Sequence, residues 1–474
     1  MNGASKRGHV LLVMCLMALT ALLATAGAAG ASLAQYEEAY RIGLAAYTYG
    51  MPLLDTDVTF RTMTSIDVSK SGYGPVNRFN NVRRLNNPGS TVVVAPGANA
   101  LSSIAWVDLR SEPQVLHVPR VVNHFFVLGF VDPYTTNIRN LGSVHETRPG
   151  WYVLCGPGQH RLPIPAGTQR IDVRYARLWI IGSTQLRGTW DVKNVNRIQD
   201  RYTLTPLSRF GAADHARRPA HPRTRITTFR LPRGLRFFDA LGRQLERFPP
   251  PARDDAALRR FAKVGIGPGL RVTGNRSLSR DTVRGLKAAV AAGPEQIQKD
   301  LASLFRAGFD KHDGYLLGGF GRYGGDYRLR AVVATIGLGA FTSDQSIFAM
   351  SPTDHSGRPL SGSTAYVMHL PSLPPVNEGW TLTVYSLQGF LIPNSEHRYQ
   401  LNDRSNLARN PDGSVDIYLQ STEPSDPAQA ADWLPTKGGQ GFEVMWRLLA
   451  PKPGRIQGIL DGSGWQPPAI TPAP

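Results

Sequence analysis

Two periodicities run along this chain. In the stretch GWTLTVYSLQGFLIPNSEHRYQLNDRS, residues 379–405, Trp380, Leu382 and Val384 alternate with Thr381, Thr383 and Tyr385. That period of two is the mark of a strand with one buried face. Similar short runs fill the segment from Val76 to Pro206: STVVVAP, SSIAWVDL, PQVLHVP, HFFVLGFVD, GWYVLCG, QRIDVRY and ARLWIIG. They return from Gln345 onward as SIFAMSP, TAYVMHLP, WTLTVYS, VDIYLQS and FEVMWRLLAP. Pro, Gly and Asn punctuate both sets, which predicts β-sandwiches.

Helical spacing appears elsewhere. Tyr36–Gly50 reads as a short helix ended by Gly50-Met51-Pro52. Phe237–Ala262 reads as two short helices around Pro249–Pro251, and Ser279–Ala307 as a helix capped by Ser279 and broken at Gly293-Pro294. RLRAVVATIG follows a Gly-rich stretch as another helix. The fold class is therefore mainly β with α: two antiparallel β-sandwich (jelly-roll-like) domains with flanking and connecting helices. The predicted divisions are a leader at 1–26, an N-terminal sandwich at 35–206, and a basic loop and helical connector at 207–325. A C-terminal sandwich at 326–452 and a tail at 453–474 complete the chain. The two β halves echo each other, with Val115–Pro119 resembling Val367–Pro371. An aromatic-led strand follows each, then a turn containing Asn137 or Asn394.

The first residues have a different character. Lys6, Arg7 and His9 precede an apolar run from Val10 to Leu23, and Ala24-Thr25-Ala26 and Ala29-Gly30-Ala31 are small-x-small sites. This is the pattern of a cleaved secretory leader, too short for a spanning helix. It predicts a secreted or periplasmic protein with no transmembrane segment after cleavage. Cys15 lies after Met14, which does not suit a lipid-attachment site. Once the leader is gone Cys155 is the one cysteine left, so no intramolecular disulfide is available. A buried, inert thiol is expected there, because no activating neighbour is near in sequence.

The chain of 474 residues carries a formal charge of +18, lowered by two to +16 when Lys6 and Arg7 leave with the leader. Arg201–Arg260 holds 14 arginines against five acids, and 44 of the 53 basic residues in the chain are arginine. Basic residues interleaved with aromatics, or a recognised module, would signal nucleic acid. Neither is present, so nucleic acid is not expected as a partner. An Arg-rich surface facing an acidic envelope polymer is the better reading.

Common catalytic signatures are absent: no G-x-S-x-G, no H-E-x-x-H, no phosphate loop and no dinucleotide fingerprint. Gly318–Gly325 is glycine-rich without a Lys-Ser/Thr, and reads as a turn. His117 and His369 sit in mid-strand as satisfied or half-buried histidines, and no paired His or Cys spacing supports a metal. Asp412-Gly413 predicts a hairpin; Asn410, Asp412 and Asp416 lack calcium-loop spacing. No cofactor or metal is expected.

The ligand-binding candidates are Asp132, Tyr134 and Asn137 after one strand, and Tyr385, Asn394, Arg398, Tyr399 and Asp403 around another. Amides and carboxylates beside aromatic rings suit sugars, and loops past strands present such groups. Asp132, Glu396 and Asp403 are also carboxylates from which a glycosidase pair could be drawn. The second cluster has a structural alternative: Arg398 paired with Asp403, and Asn394 capping its own turn. No catalytic residue is assigned.

The words RAVVATIGLGA, DHSGRPLSGSTAYVMHLP, LPPVNEGWTLTVYSLQGFLIPN, HRYQLNDR, NPDGSVDIYLQ and ADWLP resemble the bacterial family called domain of unknown function 1214. SSIAWVDLRSEPQVLHVP, HFFVLGFVDPYTTN, WYVLCGPG, FFDALGRQL and KVGIGPG resemble its usual partner, domain of unknown function 1254. Together the two cover roughly Gln35–Lys452. One departure stands out: where that family usually has Asn-Asp-Thr-Leu-Tyr, this chain reads Ala98-Asn99-Ala100-Leu101-Ser102. The resemblance implies paired β-sandwiches with intervening helices, usually exported, and implies no reaction. The leading functional expectation is an exported protein that binds a carbohydrate or other polar ligand. A glycan or ester hydrolase with a carboxylate pair, and an assembly module packing into an oligomer, are the alternatives.

Overall fold

The structure is a computed structural model. It describes residues 4–91, 94–212, 221–312, 315–318 and 320–473. The expected leader falls largely outside it: residues 1–3 are not described, nor are the side chains of residues 4–29. Among the described residues, no helix is long and apolar enough to cross a membrane.

Two compact units emerge. The first comprises the chain up to Leu54 with Leu231–Ile297, and the second comprises Asp55–Arg230 with Gln298–Pro474. The first unit is helical. It takes most of α1 (Ala4–Met63), and later α3 (Arg236–Arg247), α4 (Asp255–Ala262) and the first half of α5 (Arg280–His312); α2 (Val192–Asp200) lies in the other unit. Ile42, Tyr49, Phe237, Phe238, Leu241 and Leu286 form its buried centre. Two expected breaks are absent, since α1 runs through Pro52 and α5 runs through Pro294. Their glycines serve packing instead. A Cβ on Gly50 would lie 2.6 Å from Leu241, and one on Gly293 would lie 2.3 Å from the Tyr47 ring. Each lets a neighbouring side chain approach the helix backbone. The α5 N-terminus is capped as its sequence predicts, with Ser279 Oγ accepting from Thr282 N at 3.1 Å.

The second unit holds the strands. The first sandwich is built from β1 (Asn80–Asn81), β2 (Ala100–Asp108), β3 (Gln114–Val118), β4 (Phe126–Val131), β5 (Asn137–Gly142), β6 (Gly150–Cys155), β7 (Thr168–Asp172), β8 (Arg177–Gln185) and β9 (Thr203–Pro206). One sheet has the order β1-β2-β8-β4-β5 and the other β7-β6-β3-β9. The second sandwich uses β10 (Leu316–Gly318), β11 (Ser346–Ser351), β12 (Tyr366–Leu370), β13 (Val376–Ser386), β14 (Gln400–Asn402), β15 (Val415–Gln420), β16 (Trp433–Pro435), β17 (Phe442–Pro451) and β18 (Thr471–Pro472). Its sheets run β10-β11-β17-β13-β14 and β16-β15-β12-β18.

The two sandwiches are wired identically, strand for strand. Every pairing is antiparallel except β6–β7 and β15–β16, which are parallel and occupy equivalent places. The echo between Val115–Pro119 and Val367–Pro371 falls on the equivalent strands β3 and β12. Besides α2, the strands are accompanied by α6 (Tyr327–Gly337), whose first turn is capped by Asp326, α7 (Pro427–Ala431) and α8 (Ile456–Asp461).

Each sandwich is held by its inward alternate residues. Ala105, Leu116, Leu128, Phe130, Leu154 and Ile180 meet in the first. Met368, Trp380, Leu382, Ile417, Val444 and Trp446 meet in the second. Burying one such aliphatic or aromatic side chain contributes about 1.5–3 kcal/mol. Residues beyond Pro451 join this core: Ile459 and Ile470 are buried, and β18 pairs with β12.

Three local expectations need correction. STVVVAP forms no strand at its described positions, and Val94 is exposed. Asp412-Gly413 makes a turn with Gly413 at φ 87°, but no strand precedes it; β15 pairs with β12 and β16 instead. His369 is exposed on its strand rather than half-buried, and its Nδ1 lies 2.7 Å from Asp416.

Candidate functional site

The outward faces of the two five-stranded sheets are not left to solvent. In β2, β4 and β8 the outward residues are Ser102, Ile104, Val127, Trp179, Ile181 and Gln185; in β11, β13 and β17 they are Ser346, Phe348, Thr381, Met445, Arg447 and Leu449. These side chains line a cavity of about 1020 Å³, together with α6, the segment 338–341 after it, and loop residues 83–90 and 94–97. That volume lies at the upper end of small-ligand sites. The floor is firm. Trp106 and Trp179 are register partners, and their rings stack 4.6 Å apart at 10°. Gly339, at φ 82°, lets the chain after α6 press onto that floor, since a Cβ there would sit 2.3 Å from Ile181.

The loop is tied down on the second sandwich. Ala95 N donates to Gly389 O at 2.8 Å. Arg447 Nη2 donates to Ala95 O at 2.6 Å and to Tyr385 Oη at 2.7 Å, and Tyr385 Oη donates to Pro96 O at 2.9 Å.

The cavity wall is mixed in polarity. Trp179 Nε1, Gln185 Oε1, Gln345 Oε1, Ser346 Oγ and Thr381 Oγ1 are buried and have no hydrogen-bond partner within the protein. All five residues are more than nine-tenths buried and line the cavity. Polar atoms left this way are costly and call for a partner. The charged lining residues are Lys70, Arg83, Arg84 and Arg447. Among the described residues the lining contains no Asp, Glu, His or Cys. Glu443 shares the outward face of β17, opposite Tyr385, and burial pushes its carboxyl up to about 7.

The residues singled out from sequence lie elsewhere. Asp132 Oδ1 accepts from Tyr134 N at 2.8 Å and from Thr136 N at 2.9 Å, closing its own turn. Tyr134 is buried against the Tyr175 ring, 5.8 Å away, with the Arg330 guanidinium 5.5 Å from its centroid. Asn137 is fully buried and donates to Asn140 Oδ1 at 2.9 Å. Asn394 brackets its turn, donating to Ile392 O and Arg398 O and accepting from Arg398 N at 2.9 Å. Arg398 does not pair with Asp403: it donates to the carbonyls of Ala430 and Ala431. Asp403 instead accepts from Trp380 N at 3.3 Å and lies 3.7 Å from Arg404. Tyr399 packs partly buried beside Tyr385, with its hydroxyl 3.3 Å from His397 Nδ1.

None of these eight residues lines the cavity; Tyr385 meets its wall through Arg447 and Pro96. A usable signal was present. The outward positions of β13 and β17 mix Thr, Tyr, Met and Arg where a solvated face would be charged, so both faces of that sheet had to be covered. The departure at Ala98–Ser102 also falls here: Asn99, Ala100 and Ser102 line the cavity. Cys155 is fully buried with its thiol pKa raised by burial, as its sequence context suggests.

Residues 76–206 match the family described as protein of unknown function DUF1254, and residues 345–453 match DUF1214. A Vibrio parahaemolyticus protein of known crystal structure shares the fold, with a TM-score of 0.64 at 18% identity, over 92% of this chain and 100% of that one. A putative uncharacterized protein from Burkholderia cenocepacia aligns over 94% of this chain and 96% of its own at 13% identity, with a TM-score of 0.42. No curated protein matches. The chain thus carries a DUF1254 domain followed by a DUF1214 domain, in a two-domain arrangement.

Proposed function

We propose that this is a binding protein whose small organic ligand occupies the cavity between the two five-stranded sheets. One observation carries the reading: a cavity of about 1020 Å³ whose lining joins apolar side chains such as Val127, Ile181 and Leu449 to the polar residues Gln185, Gln345, Ser346 and Thr381 and the cation Arg447. A ligand with hydroxyl, amide or carbonyl groups would meet the polar residues of the lining, and the apolar wall would cover its body. Sugars remain one class of occupant, because Gln185, Gln345 and the aromatic Trp179 are all among the lining residues. The hydrolase reading is weaker. Acid–base hydrolysis needs a titratable group at the reacting bond, and the described lining offers no carboxylate, imidazole or thiol.

We also propose export, on the strength of the basic start, the apolar run Val10–Leu23 and the small-x-small sites after it. Intact mass of the protein recovered from the cell envelope tests this: a chain still beginning at Met1 would overturn it.

The binding reading is tested by thermal shift of the purified protein against saccharides, alkyl acids, alcohols and aromatic compounds. A ligand of the folded state raises the melting temperature by mass action. The shift should vanish in Ser183→Phe, which fills the cavity from β8. A shift that survives the filling, or none with any class, would overturn the reading.

A further inference from the structure

We infer that the ligand is an amphipathic organic anion, with an apolar body inside the cavity and its charged end on Arg447. The inference rests on the cavity being a binding site, and adds the ligand's charge and shape.

Arg447 carries the argument. Its guanidinium stands on the cavity wall, and the partners that it meets are neutral: Ala95 O at 2.6 Å, Tyr385 Oη at 2.7 Å and Thr383 Oγ1 at 3.4 Å. No carboxylate lies among the described lining residues. Arg83 differs, being held by Asp200 at 2.8 Å. A part-buried cation among neutral dipoles is an anion receptor, because the charge-assisted bonds it can still make are the strong ones. Glu443, on the same sheet face, forms no ion pair with Arg447 among the described residues, and it pairs across the sheet with Tyr385. Arg84 and Lys70 add positive potential at exposed positions of the lining. Such a field draws anions toward the cavity.

The apolar half of the ligand follows from the other walls. Phe125, Val127 and Ile181 face the cavity from one sandwich, and Phe348, Met445 and Leu449 face it from the other. Carboxylate and phosphate heads share the chemistry that Arg447 recognises.

Calorimetric titration of the purified full chain with decanoate, decyl phosphate and decanol, each below its micelle concentration, tests the inference. At least one anion should bind at least about tenfold more tightly than decanol, as a charge-assisted pair implies. The preference should collapse in Arg447→Met and return in part in Arg447→Lys. If Arg447→Met does not fold, the Arg447→Lys and Ser183→Phe variants decide: the first should weaken the anion and the second abolish its binding. Decanol binding as tightly as both anions would overturn the inference while leaving cavity binding intact. So would a saccharide binding where none of the three alkyl probes does. Anion binding that survives Ser183→Phe would place the anion outside the cavity and also overturn it.

Discussion

Arg447 donates to the phenolic oxygen of Tyr385 at 2.7 Å, and the Tyr385 hydroxyl donates in turn to the Pro96 carbonyl at 2.9 Å. This relay ties the second sandwich to a loop from the first half of the chain. Tyr385→Phe keeps the ring and removes the link, leaving a buried acceptor unpaired. It should cost about 1–3 kcal/mol in urea denaturation. Protease nicking within residues 83–97 should also quicken; unchanged stability and nicking would show that the loop is held by other contacts.

Gly379 sits at φ 112°, and a Cβ there would lie 2.4 Å from Asp403 Oδ1. Gly379→Ala should therefore destabilise the protein by about 1–3 kcal/mol through backbone strain and displacement of Asp403. Full stability in the alanine variant would show that the loop after β14 yields without penalty.

Glu443 gives a pH signature. Its folded pKa is raised to about 7 from 4.5 by burial, so the folded state holds this proton more tightly than the unfolded chain does. Stability from this group is full below about pH 4.5 and falls as pH rises toward 7. Asp55 and Asp432, each raised to about 6 by burial, slope the same way, so the comparison of variant with parent isolates Glu443. Glu443→Gln should be more stable than the parent at pH 8 by about 2–3 kcal/mol, with the advantage shrinking by pH 5. A difference independent of pH would reject a buried carboxyl there.

Trp446 is fully buried in the second core, its ring 5.2 Å from Trp380, whereas Trp190 is 67% exposed. Trp446→Ala should cost about 3–5 kcal/mol by loss of packing. Trp190→Ala should stay within about 0.5 kcal/mol. Equal effects on the melting temperature would contradict the burial pattern.

Cys155 is fully buried on β6, and burial raises its thiol pKa. Maleimide labelling should proceed only as fast as the protein opens, and should accelerate sharply in denaturant. Prompt labelling of native protein would mean that β6 frays.

The period-two runs identify the strands well, because inward residues such as Trp380, Leu382 and Val384 obey a local rule. Helix ends are less legible. Gly50-Met51-Pro52 and Gly293-Pro294 look like stops, yet tertiary packing by Leu241 and Tyr47 turns those glycines into contacts. The site is least legible. Asp132 and Asn394 have the composition of binding groups, but their side chains close local turns. Arg447 and Gln185 stand in different sandwiches, and only the apposition of two sheets makes them neighbours of one cavity. No local pattern encodes that apposition.

The duplicated strand order has a consequence for how the chain assembles. In each sandwich the middle strand of the five-stranded sheet is the eighth of nine to be synthesised, β8 in one and β17 in the other. Until it arrives, its two flanking strands present unpaired edges, and closure then joins Ala100 to Gln185 or Ser346 to Leu449 across long stretches of chain. Such non-local closure is slow. Because both halves wait for an equivalent strand, the characteristic kinetic error is a strand of one half inserting into the sheet of the other.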